Sequence, residues 1–138
     1  MLTIKNQAEI EKMRRAGYIV AEVLALMAEM VRPGITTKDL DIAAEKLIRS
    51  RGARPLFLGY GGFPASICAS VNEQVVHGIP GNRVLKAGDI ISIDVGAEKN
   101  GYCGDAARTF AVGEIDPETR RLLEVTELSL QKGWEKAV

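Results

Sequence analysis

Two extended runs, Ile90 to Ala97 and Tyr102 to Val112, flank a short loop that contains Asn100-Gly101. No other feature of the chain restricts its fold as strongly. Asn and Gly both tolerate the positive φ of a type I′ turn, whose twist suits paired antiparallel strands. The spacing therefore predicts a hairpin, a unit that is only marginally stable until something covers one of its faces. The N-terminal third of the chain supplies that cover. Asn6 stands three residues before Glu9, a capping-box start to a long helix. Ile10, Met13, Val20, Val23, Leu24, Met27 and Val31 then recur at helical spacing until Pro33-Gly34 stops it. Thr36 with Asp39 opens a second helix with a stripe of Leu40, Ala43, Ala44 and Leu47, ended by Gly52. Two amphipathic helices ahead of a hairpin predict an antiparallel sheet with helices packed on one face.

Between these units, Gly59-Tyr-Gly-Gly-Phe-Pro64 reads as flexible and aromatic, and Ser66 to Val71 as a short strand. Gly78-Ile-Pro-Gly81 and Lys86-Ala-Gly-Asp89 are turn signals. Asp116-Pro117-Glu118 provides an N-cap, a proline at the first helical position and an acidic first turn. The helix it opens runs through Leu122, Leu123, Leu128 and Trp134 to the end of the chain. Helices, then strands, then a helix make an α+β arrangement, read as one domain over residues 1–138.

Composition narrows the function classes. Lys plus Arg equals Asp plus Glu at 18 each, so no overall field favours nucleic acid or an anionic membrane. No apolar run approaches the length that spans a bilayer, and Met1 to Asn6 lacks the layout of a secretory signal. Two cysteines, Cys68 and Cys103, are too few for a disulfide scaffold in a chain able to build a core. The expectation is a cytoplasmic protein with reduced thiols.

Asp94 and Asp105 carry the chemistry that the hairpin exposes. If Asn100-Gly101 is a two-residue loop, Gly96 faces Asp105, and Asp94 becomes a diagonal neighbour on the same face, with Cα atoms about 7–8 Å apart. If the loop is Lys99-Asn100, the two aspartates stand directly opposite. A three-residue loop with a bulge would leave the geometry open. Two like charges on one face repel and call for a compensating cation. Arg108 has the wrong parity to serve unless the strand bulges, while Gly96, Gly104 and Ala107 leave space for an ion. Paired carboxylates are hard oxygen ligands suited to divalent metals. The alternative is two solvated residues on an open sheet. His77, the only histidine, sits between turn signals in Val75-Val-His-Gly-Ile-Pro80. An imidazole there could ligate metal, hydrogen-bond a substrate carbonyl, or simply pack.

Taken together, these segments resemble type I methionine aminopeptidase. The matching text is Pro33-Gly-Ile-Thr-Thr-Lys-Asp-Leu-Asp41, Gly59-Tyr-Gly-Gly-Phe-Pro64, Ser66-Ile-Cys-Ala-Ser-Val-Asn-Glu73, Val76-His-Gly-Ile-Pro80, Gly88-Asp-Ile-Ile-Ser-Ile-Asp-Val-Gly96 and Asn100-Gly-Tyr-Cys-Gly-Asp105. It runs in family order from residue 5 to 138. The resemblance implies half of a pita-bread fold, the N-terminal half of a pseudosymmetric enzyme that removes N-terminal methionine from peptides and proteins. It implies that Asp94 ligates one of two divalent ions (cobalt, manganese, iron or zinc) and that Asp105 bridges both. His77 would contact the scissile peptide and help stabilise its developing oxyanion. Phe57, Tyr60, Phe63 and Cys68 would line the methionine pocket, where sulfur packs well against ring edges. Cys103 stands where the family often has histidine.

The family's remaining metal ligands and general base belong to its second half, so little activity or metal binding is expected of this chain alone. An apolar patch around Tyr60, Phe63 and Cys68, together with an unpaired strand edge, would then invite a homodimer. Other readings are a non-catalytic half-fold that docks to a partner, or a piece of an X-Pro peptidase-like relative.

Overall fold

The computed structural model describes residues 3–137. Helix α1 (Gln7–Met30) and helix α2 (Thr37–Ser50) precede strands β1 (Arg54–Pro55), β2 (Ile67–Val71), β3 (Ile90–Lys99) and β4 (Tyr102–Ala111), and helix α3 (Pro117–Trp134) follows them. Each helix begins where a side chain satisfies the free N–H groups of its first turn. The Asn6 side chain accepts from the Glu9 N–H while Glu9 accepts from the Asn6 N–H, and Thr36 and Asp39 repeat the exchange at α2. Asp116 accepts from the Thr119 N–H at 2.9 Å to start α3.

All strand pairs are antiparallel. Strand β3 is central, with β1 and β2 along one edge and β4 along the other. Ile91, Ile93, Val95 and Ala97 of β3 join Ile67, Ala69 and Val71 of β2 in one core with Ile19, Val20, Val23 and Met27 of α1 and Leu40, Ala44 and Ile48 of α2. Each fully buried Ile, Val, Leu or Met contributes about 1.5–3 kcal/mol, so this cluster holds the helices to the sheet. Helix α1 crosses β3 and β4, and α2 lies beside it against β1 and β2. Close contact with β4 depends on Gly104, where an added Cβ would lie 2.6 Å from the backbone nitrogen of Gly17 and 2.8 Å from the Ala16 carbonyl oxygen.

The structure corrects several details of the pattern reading. Ile10 and Met13 have the right helical phase but remain 37% and 40% exposed. At that end α1 meets the hairpin rim, where the Tyr102 hydroxyl donates to Glu9 at 3.0 Å and Lys12 lies over the Tyr102 ring. Ile48, rather than Leu47, completes the buried stripe of α2, and Ala16 and Ile19 belong to that of α1. The segment expected to be flexible is a hydrogen-bonded turn: a short 3-10 helix spans Tyr60–Gly62, with Gly59 N–H donating to the Phe63 carbonyl. Helix α3 has no buried residue, and Leu122, Leu128 and Trp134 are all more than half exposed. No helix among the described residues is long and apolar enough to cross a membrane.

Candidate metal and substrate site

The hairpin takes the first of the two registers. Lys99 pairs with Tyr102 and Gly96 with Asp105, around an Asn100-Gly101 turn with φ of 55° and 80°. The ladder continues without interruption from there to Ile90 and Ala111, so no bulge alters side-chain parity. Asp94 therefore sits diagonally from Asp105 on the face of the sheet turned away from α1. Arg108 points to the other face, its guanidinium 5.6 Å from the Phe110 ring centre and 4.0 Å from Glu127. Among the described residues no lysine or arginine pairs with either aspartate.

Strand β2 adds Cys68, which pairs with Asp94 across the ladder. Burial, reinforced by the negative Asp94 and Asp105, pushes the Cys68 thiol up to about 11, so it stays protonated at neutral pH and acts as an apolar wall rather than a nucleophile. Both cysteines are free thiols, Cys68 buried and Cys103 exposed. Burial likewise raises the Asp94 carboxyl, and Asp105 raises it further, against an opposing effect of His77. One oxygen of Asp94, Oδ1, is buried without a hydrogen-bond partner. An orphaned carboxylate oxygen beside a second carboxylate suits a hard divalent ion, which would satisfy the oxygen and cancel the repulsion. The donor set is a partial one, since the described residues contain no group of three or more His, Cys, Asp or Glu that could hold a metal.

Above the carboxylates lies a cavity of about 670 Å³ lined by Phe57, Tyr60, Phe63, Cys68, His77, Asp94 and Asp105, along with Gly61, Gly62, Pro64 and Ile79. All seven side chains singled out from the sequence thus border one space. Phe57 reaches it because Gly96 has no side chain: an added Cβ would lie 2.8 Å from the Phe57 ring and 3.0 Å from Leu56. Exposure differs among the lining groups. Of the apolar patch expected in water, Tyr60 is 81% exposed and Phe63 is half-buried, whereas Cys68 is folded away at 6% exposed. His77 is exposed and has a left-handed backbone, φ 59°, a conformation uncommon for a non-glycine residue. The structure around it enforces that turn: the Gly78 N–H donates to the Ser70 hydroxyl at 3.0 Å, and the Gly78 carbonyl accepts from the Ala69 N–H at 2.8 Å. Ile79 and Pro64 lie within the quoted motifs, but nothing in their periodicity marked them as lining.

Comparison with known proteins places the chain in a family. The model of metallopeptidase family M24 matches residues 11–138. A methionine aminopeptidase of Clostridium acetobutylicum is 59% identical over 139 residues, covering 100% of this chain and 56% of that protein. The crystal structure of methionine aminopeptidase from Rickettsia prowazekii superposes with a TM-score of 0.94 at 41% identity, covering 96% of this chain and 54% of the other. A prolidase from Pyrococcus furiosus superposes less closely, with a TM-score of 0.77 at 26% identity over 88% of this chain and 35% of the other. The chain spans about half the length of the methionine aminopeptidases it matches.

Proposed function

Because this chain belongs to metallopeptidase family M24, we propose that it forms the substrate-pocket side of a metal-dependent aminopeptidase that removes N-terminal methionine. One observation carries the reading: the orphaned Asp94 oxygen and its diagonal partner Asp105 floor a cavity walled by aromatic rings and a protonated thiol. Asp94 and Asp105 would hold the divalent ions, whose chemistry when bound is polarisation of a peptide carbonyl and acidification of water. Phe57, Tyr60, Phe63 and Cys68 would enclose an unbranched thioether, excluding water and fixing the first residue of the substrate. His77, held at the cavity rim by its backbone turn, would donate a hydrogen bond to the carbonyl oxygen as charge develops on it. The higher similarity to methionine aminopeptidases than to the prolidase favours methionine over an X-Pro substrate. A cytoplasmic setting fits a chain with two free thiols.

Two carboxylates and one imidazole make an incomplete set, so the 138 residues by themselves should bind manganese, cobalt or iron weakly and turn over a Met-Ala-type peptide negligibly. The test is turnover of a methionyl peptide beside metal titration, with Asp105→Ala as control. Rapid turnover that Asp105→Ala abolishes would refute inactivity. Metal binding unchanged in Asp105→Ala would refute the site. The apolar face of α3 and the outer edge of β4, which pairs only with β3 among the described residues, are assigned to a second copy of this chain. Sedimentation equilibrium that shows a monomer at all concentrations would overturn this assignment.

A further inference from the structure

One face of α2 holds both walls of the cavity. Thr37 and Asp41 are four residues apart and so project from the helix one above the other. Asp41 Oδ1 accepts the backbone N–H of Ser66 at 2.8 Å and of Ile67 at 3.1 Å, at the point where the chain leaves Phe63 and enters β2 with Cys68. Thr37, 2% exposed, donates its hydroxyl to the Gly81 carbonyl at 3.0 Å and accepts the Gly81 N–H at 2.9 Å. The Lys38 N–H donates to the same carbonyl at 3.0 Å, and the Thr37 N–H donates to the Arg83 carbonyl at 3.1 Å. Gly81 closes the turn that presents His77 and Ile79. Asp41 therefore anchors one wall, and Thr37 anchors the far end of the other, whose near end is held at Gly78 by Ser70 and Ala69.

We propose that Thr37 and Asp41 are positioning residues that set the separation of the two walls, Phe63 to Cys68 and His77 to Ile79, and with it the width of the side-chain cavity. The proposal deepens the aminopeptidase reading and rests on it for the identity of the cavity's ligand. The physical basis is that neither wall is braced by regular strand pairing along its whole length. Residues 57–66 and 72–89 lie outside the β2–β3 ladder, so their placement rests on bonds outside it. Those are the bonds of Asp41 for the first wall, and for the second those of Thr37 together with the bonds of Gly78 to Ser70 and Ala69. Burial raises the Asp41 carboxyl while its two backbone donors pull it down, as expected for a half-buried group held by hydrogen bonds.

The test avoids turnover, so its outcome is separable from that of the aminopeptidase reading. In a Cys103→Ser background, Cys68 is the sole thiol, and its labelling by a small neutral reagent reports opening of the first wall. Asp41→Ala should accelerate labelling about tenfold, since two backbone donors lose an ionised acceptor. Asp41→Asn, whose amide oxygen still accepts, should stay within about twofold of wild type. Ile48→Val removes core volume on the same helix and should leave labelling unchanged at comparable global stability. If Asp41→Ala does not fold, Asp41→Glu, with its carboxylate displaced by one methylene, should give an intermediate acceleration. His77 is the only histidine, so its ring protons report the second wall by NMR. Thr37→Val should shift or split them, and Thr37→Ser should restore them. Equal acceleration by Ile48→Val would overturn the proposal, as would wild-type labelling in Asp41→Ala or an unmoved His77 signal in Thr37→Val.

Discussion

The two faces of the β3–β4 hairpin are made from the same twenty residues and have opposite characters. Toward α1, Ile91, Ile93, Val95, Ala97 and Phe110 are buried, and backbone meets backbone at Gly104. On the other face the alternate positions hold Ser92, Asp94, Gly96 and Asp105, Ala107 and Thr109, where Asp94 and Asp105 border the cavity and one Asp94 oxygen lacks a partner. One face is finished by this chain's own helices; the other pairs Ser92 with Thr109 at 2.8 Å but leaves the Asp94 oxygen unsatisfied. Strand alternation allows both, because successive side chains leave the backbone on opposite sides. Stability and function are thereby assigned to alternate residues of one element, and substitutions one position apart should differ in kind.

The largest expected effect is on the packed face. Gly104→Ala places a Cβ against the backbone of Ala16 and Gly17, which cannot yield without moving α1. A loss of about 3 kcal/mol or more is expected by urea denaturation. A loss below about 1 kcal/mol would mean that α1 is not tightly seated and would break the contrast between the faces.

Gly96→Ala is the matched change on the open face. The nearest atom to its Cβ is on the Phe57 ring, which can rotate away. Leu56 Cβ and Cδ2 follow at 3.0 and 3.1 Å and must give only slightly, so a loss of about 1–2 kcal/mol is expected. The functional effect should exceed the structural one, because the displaced ring enters the cavity. Binding of a methionine-like ligand should weaken more than binding of an alanine-like one. Equal weakening of the two would show that Phe57 does not shape the pocket.

The smallest effect has the opposite sign. Asp94 has a raised carboxyl, so the folded chain holds this proton more tightly than the unfolded chain does. That contribution to stability is fully present below the ordinary value of 3.8 and is lost as pH rises through the raised folded value. At neutral pH Asp94→Asn should therefore stabilise the metal-free chain by up to about 1 kcal/mol. Added divalent cation should raise the melting temperature of the wild type more than that of the variant. A variant less stable than wild type without metal would mean that the carboxylate makes a stabilising contact within the fold.

Much of this was legible from local chemistry. The helix starts at Asn6, Thr36 and Asp116 and the turn at Asn100-Gly101 are each satisfied within three or four residues, and the turn carries the parity of Asp94 and Asp105 with it. The membership of Phe57, Tyr60, Phe63 and Cys68 in one pocket followed from family resemblance, not from periodicity.

What the sequence by itself determined, then, is the set of elements closed by short-range hydrogen bonds, and a shared face for Asp94 and Asp105 in either two-residue register of the hairpin. The tertiary structure chose the register and showed that no bulge intervenes. Only the tertiary structure decided which amphipathic surfaces are covered. Ile10, Met13 and the leucines of α3 carry the same periodic signal as Val20 and Val23, yet α1 outruns the core and α3 fully buries none of its residues. It also decided the work of Asp41, whose partners are 25 and 26 residues away, and of Thr37, whose partner is 44 away. The physical reason is range. A cap or a turn is selected by its immediate neighbours, whereas burial and long-range acceptor pairing depend on which distant backbone the folded chain brings alongside.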